Sequence, residues 1–288
     1  MKATLHALCG LLAGLSLLAP FHSAAAETSD EPIMGAGAHF AWVVFNAIKE
    51  DLEQKVGRKT ILFGENSMMG MGCEAGIKAA KQATASHETF GFLCCPLSDE
   101  EVEKEGLIVY PLAKEPIYIL THSDNPVTNL SLEEVRAIFR GDILNWQEVG
   151  GPDKPIVVVT RLHCKERPGH WKSILPSDKA FRQERLNVKS DAAMIQTMND
   201  FSGSIGFSGS TWPFKPDDHV KFVTVGGVKP TAANLEAGKY PYFRVLSAVT
   251  NRTPSPDVVK LIREAQTGPA FLSVAKQHEL VPLNPPQP

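Results

Sequence analysis

No charge of one sign dominates this sequence: 29 Lys and Arg stand against 32 Asp and Glu in 288 residues, a formal net charge of −3. A chain without a broad basic face has little to offer a nucleic-acid backbone, so no nucleic-acid partner is expected. Beyond the N-terminal segment there is no apolar run of the roughly 20 residues a membrane-spanning helix needs. Internal repeats are absent, and low complexity is confined to the proline-rich end, 282–288. With 43% hydrophobic and 21% charged residues, the composition also excludes extensive disorder, collagen and a long coiled coil. Cysteine is scarce, at five residues, and none falls in the CxxC spacing that makes a zinc site convincing.

The start of the chain has the layout of a secretory signal peptide. Lys2 supplies a positive start, residues 5–19 are almost wholly apolar, and Ala24-Ala25-Ala26 offers small residues before Glu27. Cleavage there, with residues 1–26 as the leader, predicts an exported, periplasmic protein. It also removes Cys9 and leaves Cys73, Cys94, Cys95 and Cys164 in a compartment where disulfides persist.

Past the leader the pattern alternates. Phe40, Val43, Val44, Ala47, Ile48 and Leu52 fall at helical spacing with Gly57 as the stop. Strands are predicted over 59–63, 89–93, 116–121, 156–160, 205–207, 220–225 and 242–250. Helices are predicted near 74–85, 256–266 and 269–277. Ser98 with Glu101 and Ser131 with Glu134 each fit a capping box. Such alternation predicts an α/β fold of mixed sheets flanked by helices. Ligands in these folds bind where strands end in loops. That rule selects 35–39, 65–73, 94–98 and 161–171, three of which carry the mature cysteines.

The central stretch reads Asn125-Pro126-Val127, Leu130-Ser131, Ile138-Phe139-Arg140-Gly141, Asn145-Trp146 and Gly150-Gly151. Around it stand Gly35-Ala36-Gly37-Ala38, Gly91 with Pro96-Leu97-Ser98, Gly203-Ser204-Ile205-Gly206-Phe207, and Gly238-Lys239-Tyr240-Pro241 with Arg244. In order and spacing these resemble the substrate-binding proteins of ABC importers, in the group similar to the periplasmic phosphate-binding protein. The resemblance implies a two-lobed periplasmic-binding-protein-like fold of type 2 with a two-stranded hinge. One lobe would comprise 27–121 with 213–288, the other 122–212. It implies capture of a small anion in the interlobe cleft by a monomer, without catalysis or a cofactor, for an ABC permease or a sensor.

Arg161, at the end of the 156–160 strand, matches the family arginine and reads as an anion clamp; a structural ion pair is its other reading. The family's Ser-Gly-Thr turn is replaced by a bulky basic loop that carries His163, Cys164, Lys165 and Arg167, where Lys165 and Arg167 would steer an anion. N–H groups near Ala38 and Ser67 would cradle it, with His39 and Met68 beside them as further ligand-binding candidates. The proton-accepting Asp of the family has no counterpart; Gly91 and Pro96-Leu97 place Cys94 there, next to Cys95.

The four mature cysteines admit three readings. Disulfides are the default for an exported chain: a bridge between Cys73 and Cys94 or Cys95 would tie two neighbouring loops of one lobe, and a bridge from Cys164 would join opposite lobes. Cys73, Cys94, Cys95 and Cys164, near Met68, Met69, Met71 and His163, could instead hold a soft metal such as Cu(I) or Zn(II). Cys164 between His163 and Lys165 could be an activated thiol, with His170 as its base.

Overall fold

The computed structural model describes residues 31–64, 72–165, 167 and 169–283. The leader, Ser67, Met68 and the other loop methionines lie outside the described residues.

The chain first builds a small parallel ladder. β1 (Ile33–Gly37) pairs on both sides, with β2 (Thr60–Phe63) and β3 (Thr89–Leu93). Strands covered on both faces must be apolar throughout, and β3 is buried at every position. The loop expected at 35–39 shrinks to Ala38, because Gly35, Ala36 and Gly37 are paired to β2 or β3 and His39 already begins α1 (His39–Ala47). The helix predicted from Phe40 to Leu52 also divides. Ile48, at φ −114 and ψ 13, ends α1 and begins α2 (Lys49–Val56), which Gly57 stops in the left-handed conformation (φ 81).

α3 (Gly72–Gln82) lies against β3 because two glycines let it. A Cβ on Gly91 would sit 2.1 Å from the Gly76 carbonyl oxygen, and one on Gly76 would sit 2.6 Å from that of Phe92. This close approach brings the first turn of α3, with Cys73, down to the end of β3, beside Cys94.

Both predicted capping boxes form. Ser98 and Glu101 open α4 (Asp99–Glu105), and Ser131 and Glu134 open α5 (Leu132–Arg140). Between these helices runs β4 (Leu107–His122), far longer than the strand predicted at 116–121. It survives Pro111 because the register against β11 (Phe243–Asn251) shifts there, between Leu246 and Ser247, where a missing N–H is tolerated. β5 (Asn129–Leu130), β6 (Val157–Thr160), β7 (Leu186–Asn187), α6 (Asp191–Asp200) and β8 (Ser204–Gly209) follow β4 in the chain. The strand predicted at 220–225 splits: β9 (Val220–Phe222) pairs with β4, whereas β10 (Thr224–Val225) pairs with β5. α7 (Ala232–Glu236), α8 (Pro256–Thr267), α9 (Pro269–Gln277) and β12 (Val281–Pro282) complete the described elements. The main sheet runs β2-β1-β3-β11-β4-β8-β6-β7, parallel at its ends and antiparallel in the middle.

Two large hydrophobic cores flank this sheet, and a smaller third cluster gathers Leu120, Val159, Met194, Ile195 and Met198. Phe45, Phe90, Phe92, Leu246 and Leu261 belong to the first, and Ile117, Phe139, Trp146, Phe207, Tyr240 and Tyr242 to the second. β4 leaves the first core at Ala113 and enters the second at Ile117; the chain returns between Tyr242 and Leu246. The result is the expected α/β fold of two lobes with a two-stranded hinge. In that hinge Glu115 and Arg244 stand directly opposite each other.

Candidate functional site

The strand ends of both lobes meet at the cysteines. Cys73 lies in the first turn of α3, Cys94 and Cys95 directly follow β3, and Cys164 lies in the loop after β6. Their side chains converge. Cys73 Sγ is 3.8 Å from Cys94 Sγ, which is 4.0 Å from Cys95 Sγ. The sulfurs of Cys73, Cys95 and Cys164 lie within 4.8 Å of one another. All four are free thiols, so the disulfides expected of an exported chain are not formed here. His163 closes the group from the second lobe, its Nε2 3.5 Å from Cys95 Sγ and 3.9 Å from Cys94 Sγ.

The thiols are not equivalent. Hydrogen bonds from Cys73 and Cys95 hold the Cys164 pKa down to about 4, against the opposing effect of burial. Contacts with Cys164, Cys73 and Cys94 push the Cys95 thiol up. Cys164 is also the least buried of the four. Since the thiolate is the nucleophile, brief iodoacetamide treatment of the reduced protein at mildly acidic pH should label Cys164 well ahead of Cys95. Peptide mass spectrometry gives the order, and equal labelling of these two would contradict their electrostatic ordering. His170 is not the partner base the sequence suggested. It is buried, packs edge-on against Phe207, and burial holds its pKa well below the usual imidazole value.

Each predicted cation already has a carboxylate. Arg161 donates from Nη1 to Asp191 Oδ2 at 2.9 Å and from Nε to the Lys189 carbonyl at 3.2 Å. Lys165 donates to Asp178 at 2.9 Å. Arg167 donates from Nε to Glu101 at 2.9 Å and from Nη1 to Glu74. Glu74 and Glu101 belong to helices on the first lobe, so Arg167 ties the second lobe's loop across the cleft. At the first-lobe wall the Ala38 N–H donates to the Phe92 carbonyl at 2.9 Å, so it is engaged in the fold rather than turned to a ligand. His39 stacks on Trp42 with ring centroids 5.5 Å apart, and burial lowers its pKa against the pull of Asp191.

Between these walls lies a cavity of about 560 Å³, lined among others by Cys73, Glu74, Arg161, Cys164, Arg167 and Lys189. His163 and Lys165 also reach it. Trp171 does not; it is buried and donates from Nε1 to the His163 carbonyl at 2.6 Å, which pins the basic loop from beneath.

Sequence reasoning missed a buried polar group in the hinge strands. Glu115 is fully buried, accepts hydrogen bonds from the Thr211 N–H at 2.8 Å and hydroxyl at 2.6 Å, and pairs with Arg244. The Arg244 guanidinium carbon lies 3.5 Å from the centre of the Phe40 ring. Asp191, the partner of Arg161, begins α6, a helix with no predicted counterpart. Its signal was legible: Ser190 caps the helix by accepting from the Ala193 N–H.

A family model described as a PBP superfamily domain matches residues 23–275. The chain belongs to the PBP superfamily. Among curated relatives, the phosphate-binding protein PstS of Bacillus subtilis (strain 168) is 30% identical over 145 residues, 50% of this chain and 47% of that protein. PstS of Borreliella burgdorferi is 28% identical over 163 residues, 54% of this chain and 58% of that protein. This superfamily member thus matches about half the length of those relatives. Among solved structures, a putative phosphate ABC transporter substrate-binding protein with bound phosphate from Clostridium perfringens aligns with a TM-score of 0.73 at 23% identity, over 88% of this chain and 100% of that one. At that identity the likeness concerns the fold.

Proposed function

We propose that this PBP superfamily member is an exported solute-binding protein that captures a small oxyanion, phosphate-like in chemistry, between its two lobes. It does so as a monomer, without catalysis, and hands the ligand to an ABC importer or presents it to a sensor. The lobes would divide near 27–121 with 213–288 against 122–212. Val223, Val225, Tyr240 and Tyr242 pack in the second core, which favours counting that stretch with the second lobe. The named relatives bind phosphate, and closure of two lobes about a hinge is the expected motion.

The observation that carries this reading is the donor set of the cleft cavity: Arg161, Lys165, Arg167 and Lys189 line it, and although carboxylates pair with the first three, their N–H groups are not all spent. A guanidinium has five donors, and the contacts of Arg161 to Asp191 and Lys189 use only Nε and Nη1. Among the described residues none takes Nη2, which would meet the oxyanion. The absence of a counterpart to the family's proton-accepting Asp favours an ion that needs no proton acceptor.

Isothermal calorimetry with phosphate, sulfate and related oxyanions is the direct test. The wild-type protein should bind at least one of them, and Arg161→Ala should weaken it roughly 10- to 100-fold through loss of a charge-assisted contact. Absence of heat with every oxyanion in the wild-type protein would end this reading.

A further inference from the structure

An anion site gives the cysteines no task. A cleft that needed only small apolar filling would be served by Ala or Val, yet four thiols from three separate segments meet at the cavity floor. Three of them are almost fully buried. Three features of their placement match a metal centre.

The first is spacing. Tetrahedral zinc with Zn–S bonds of about 2.3 Å sets its sulfurs about 3.8 Å apart. Cys73 and Cys94 stand 3.8 Å apart, and Cys94 and Cys95 4.0 Å apart. Cys95 belongs to both groups of donors that lie within 4.8 Å of one another, Cys73–Cys95–Cys164 and Cys94–Cys95–His163.

The second is the orientation of His163. Its Nδ1 is 3.3 Å from the Arg161 carbonyl oxygen, while Nε2 faces the sulfurs. Metal-bound imidazoles are held in this way, with one ring nitrogen bonded to a backbone carbonyl and the other directed at the ion.

The third is the backbone. Cys164 has φ 49; among the described residues, Glu279 is the other non-glycine with positive φ. Strained residues of this kind concentrate where a side chain must be held at a ligand.

We infer that the cleft floor is a four-coordinate site for a thiophilic d10 cation, Zn(II) or Cu(I). Cys73, Cys94 and Cys95 of the first lobe bind it, and the 163–164 loop of the second lobe fills the fourth place. Thiolate and imidazole are the donors these ions prefer, and neither ion requires a further ligand type. Because the donors come from both lobes, the bound cation is a clasp across the cleft. This inference does not depend on oxyanion binding.

The test uses the full exported protein, reduced, stripped with a chelator, and reloaded anaerobically with Zn(II) or with Cu(I). After dialysis, elemental analysis should find one ion of at least one of these metals per chain. Cobalt(II) in its place should give the intense absorption of thiolate-to-metal charge transfer. Cys95→Ser, which removes the donor shared by both groups, should weaken binding by more than the roughly 100-fold upper range of outer-shell changes. Circular dichroism checks that the variant folds. Should it not fold, Cys94→Ser takes its place with the same expected loss of affinity. Two results overturn the inference: a reduced wild-type protein that retains neither metal, or a folded Cys95→Ser or Cys94→Ser protein that binds as tightly as wild type. Calorimetry with oxyanions on the metal-stripped protein reports separately on anion capture, so failure of one reading does not mimic failure of the other.

Discussion

Replacing Glu115 with alanine should cost about 3–5 kcal/mol of unfolding free energy, the usual penalty for removing one partner of a buried ion pair. Glu115 and Arg244 are both fully or almost fully buried, and they face each other across the two hinge strands. Without the carboxylate, Arg244 keeps a charge against the Phe40 ring and the cleft wall with no counterion. The Thr211 N–H and hydroxyl also lose their acceptor. Urea unfolding of wild type and variant measures the difference. Adding Arg244→Met to Glu115→Ala should recover part of the loss, because it removes the buried charge left without a counterion. A loss below about 1 kcal/mol for Glu115→Ala would mean that water reaches the pair and that burial does not govern it.

The second large effect is expected at Trp146. Its side chain is fully buried in the second core, and its indole N–H donates to the Gly203 carbonyl at 2.9 Å. Trp146→Ala should destabilise the protein by about 3–5 kcal/mol, from lost transfer energy and the cavity left behind. The Gly203 carbonyl loses its partner as well. Chemical denaturation should show the loss as a lower midpoint. If the midpoint moved by no more than a surface substitution moves it, Trp146 would not be anchoring this core.

These two residues differ in how visible they were. Trp146 follows Asn145 in the central motif, and both capping boxes, at Ser98 and Ser131, formed as read. Local chemistry decided those features: a side chain three residues from a helix start satisfies an orphan N–H whatever the rest of the chain does. Glu115 falls one residue before the strand predicted to begin at 116. Its burial became evident only when β4 proved continuous from Leu107 to His122, with Arg244 placed opposite by the register of β11.

The candidate site divides in the same way. Residue types picked Arg161, His163, Cys164, Lys165 and Arg167, and all five reach the cleft cavity. Their partners were not legible: Asp191, Asp178, Glu74 and Glu101 come from distant segments, and they turn a loop read as an anion funnel into one partly neutralised and tied across the lobes. Ala38 was selected for its backbone N–H, but that group is consumed by Phe92.

Alternating strand and helix patterns and the spacing of small motifs determined, from sequence alone, the α/β class and the family resemblance, while low net charge and the lack of a later apolar run argued against nucleic-acid and membrane roles. Those properties depend on composition and on contacts within a few residues. The meeting of four thiols depended on the tertiary structure. Gly76 and Gly91 let a helix sit directly on a strand, and the two-stranded hinge brings the loop of one lobe over the loops of the other. Sulfur atoms 21 residues apart become neighbours at 3.8 Å only after long-range backbone packing has been completed.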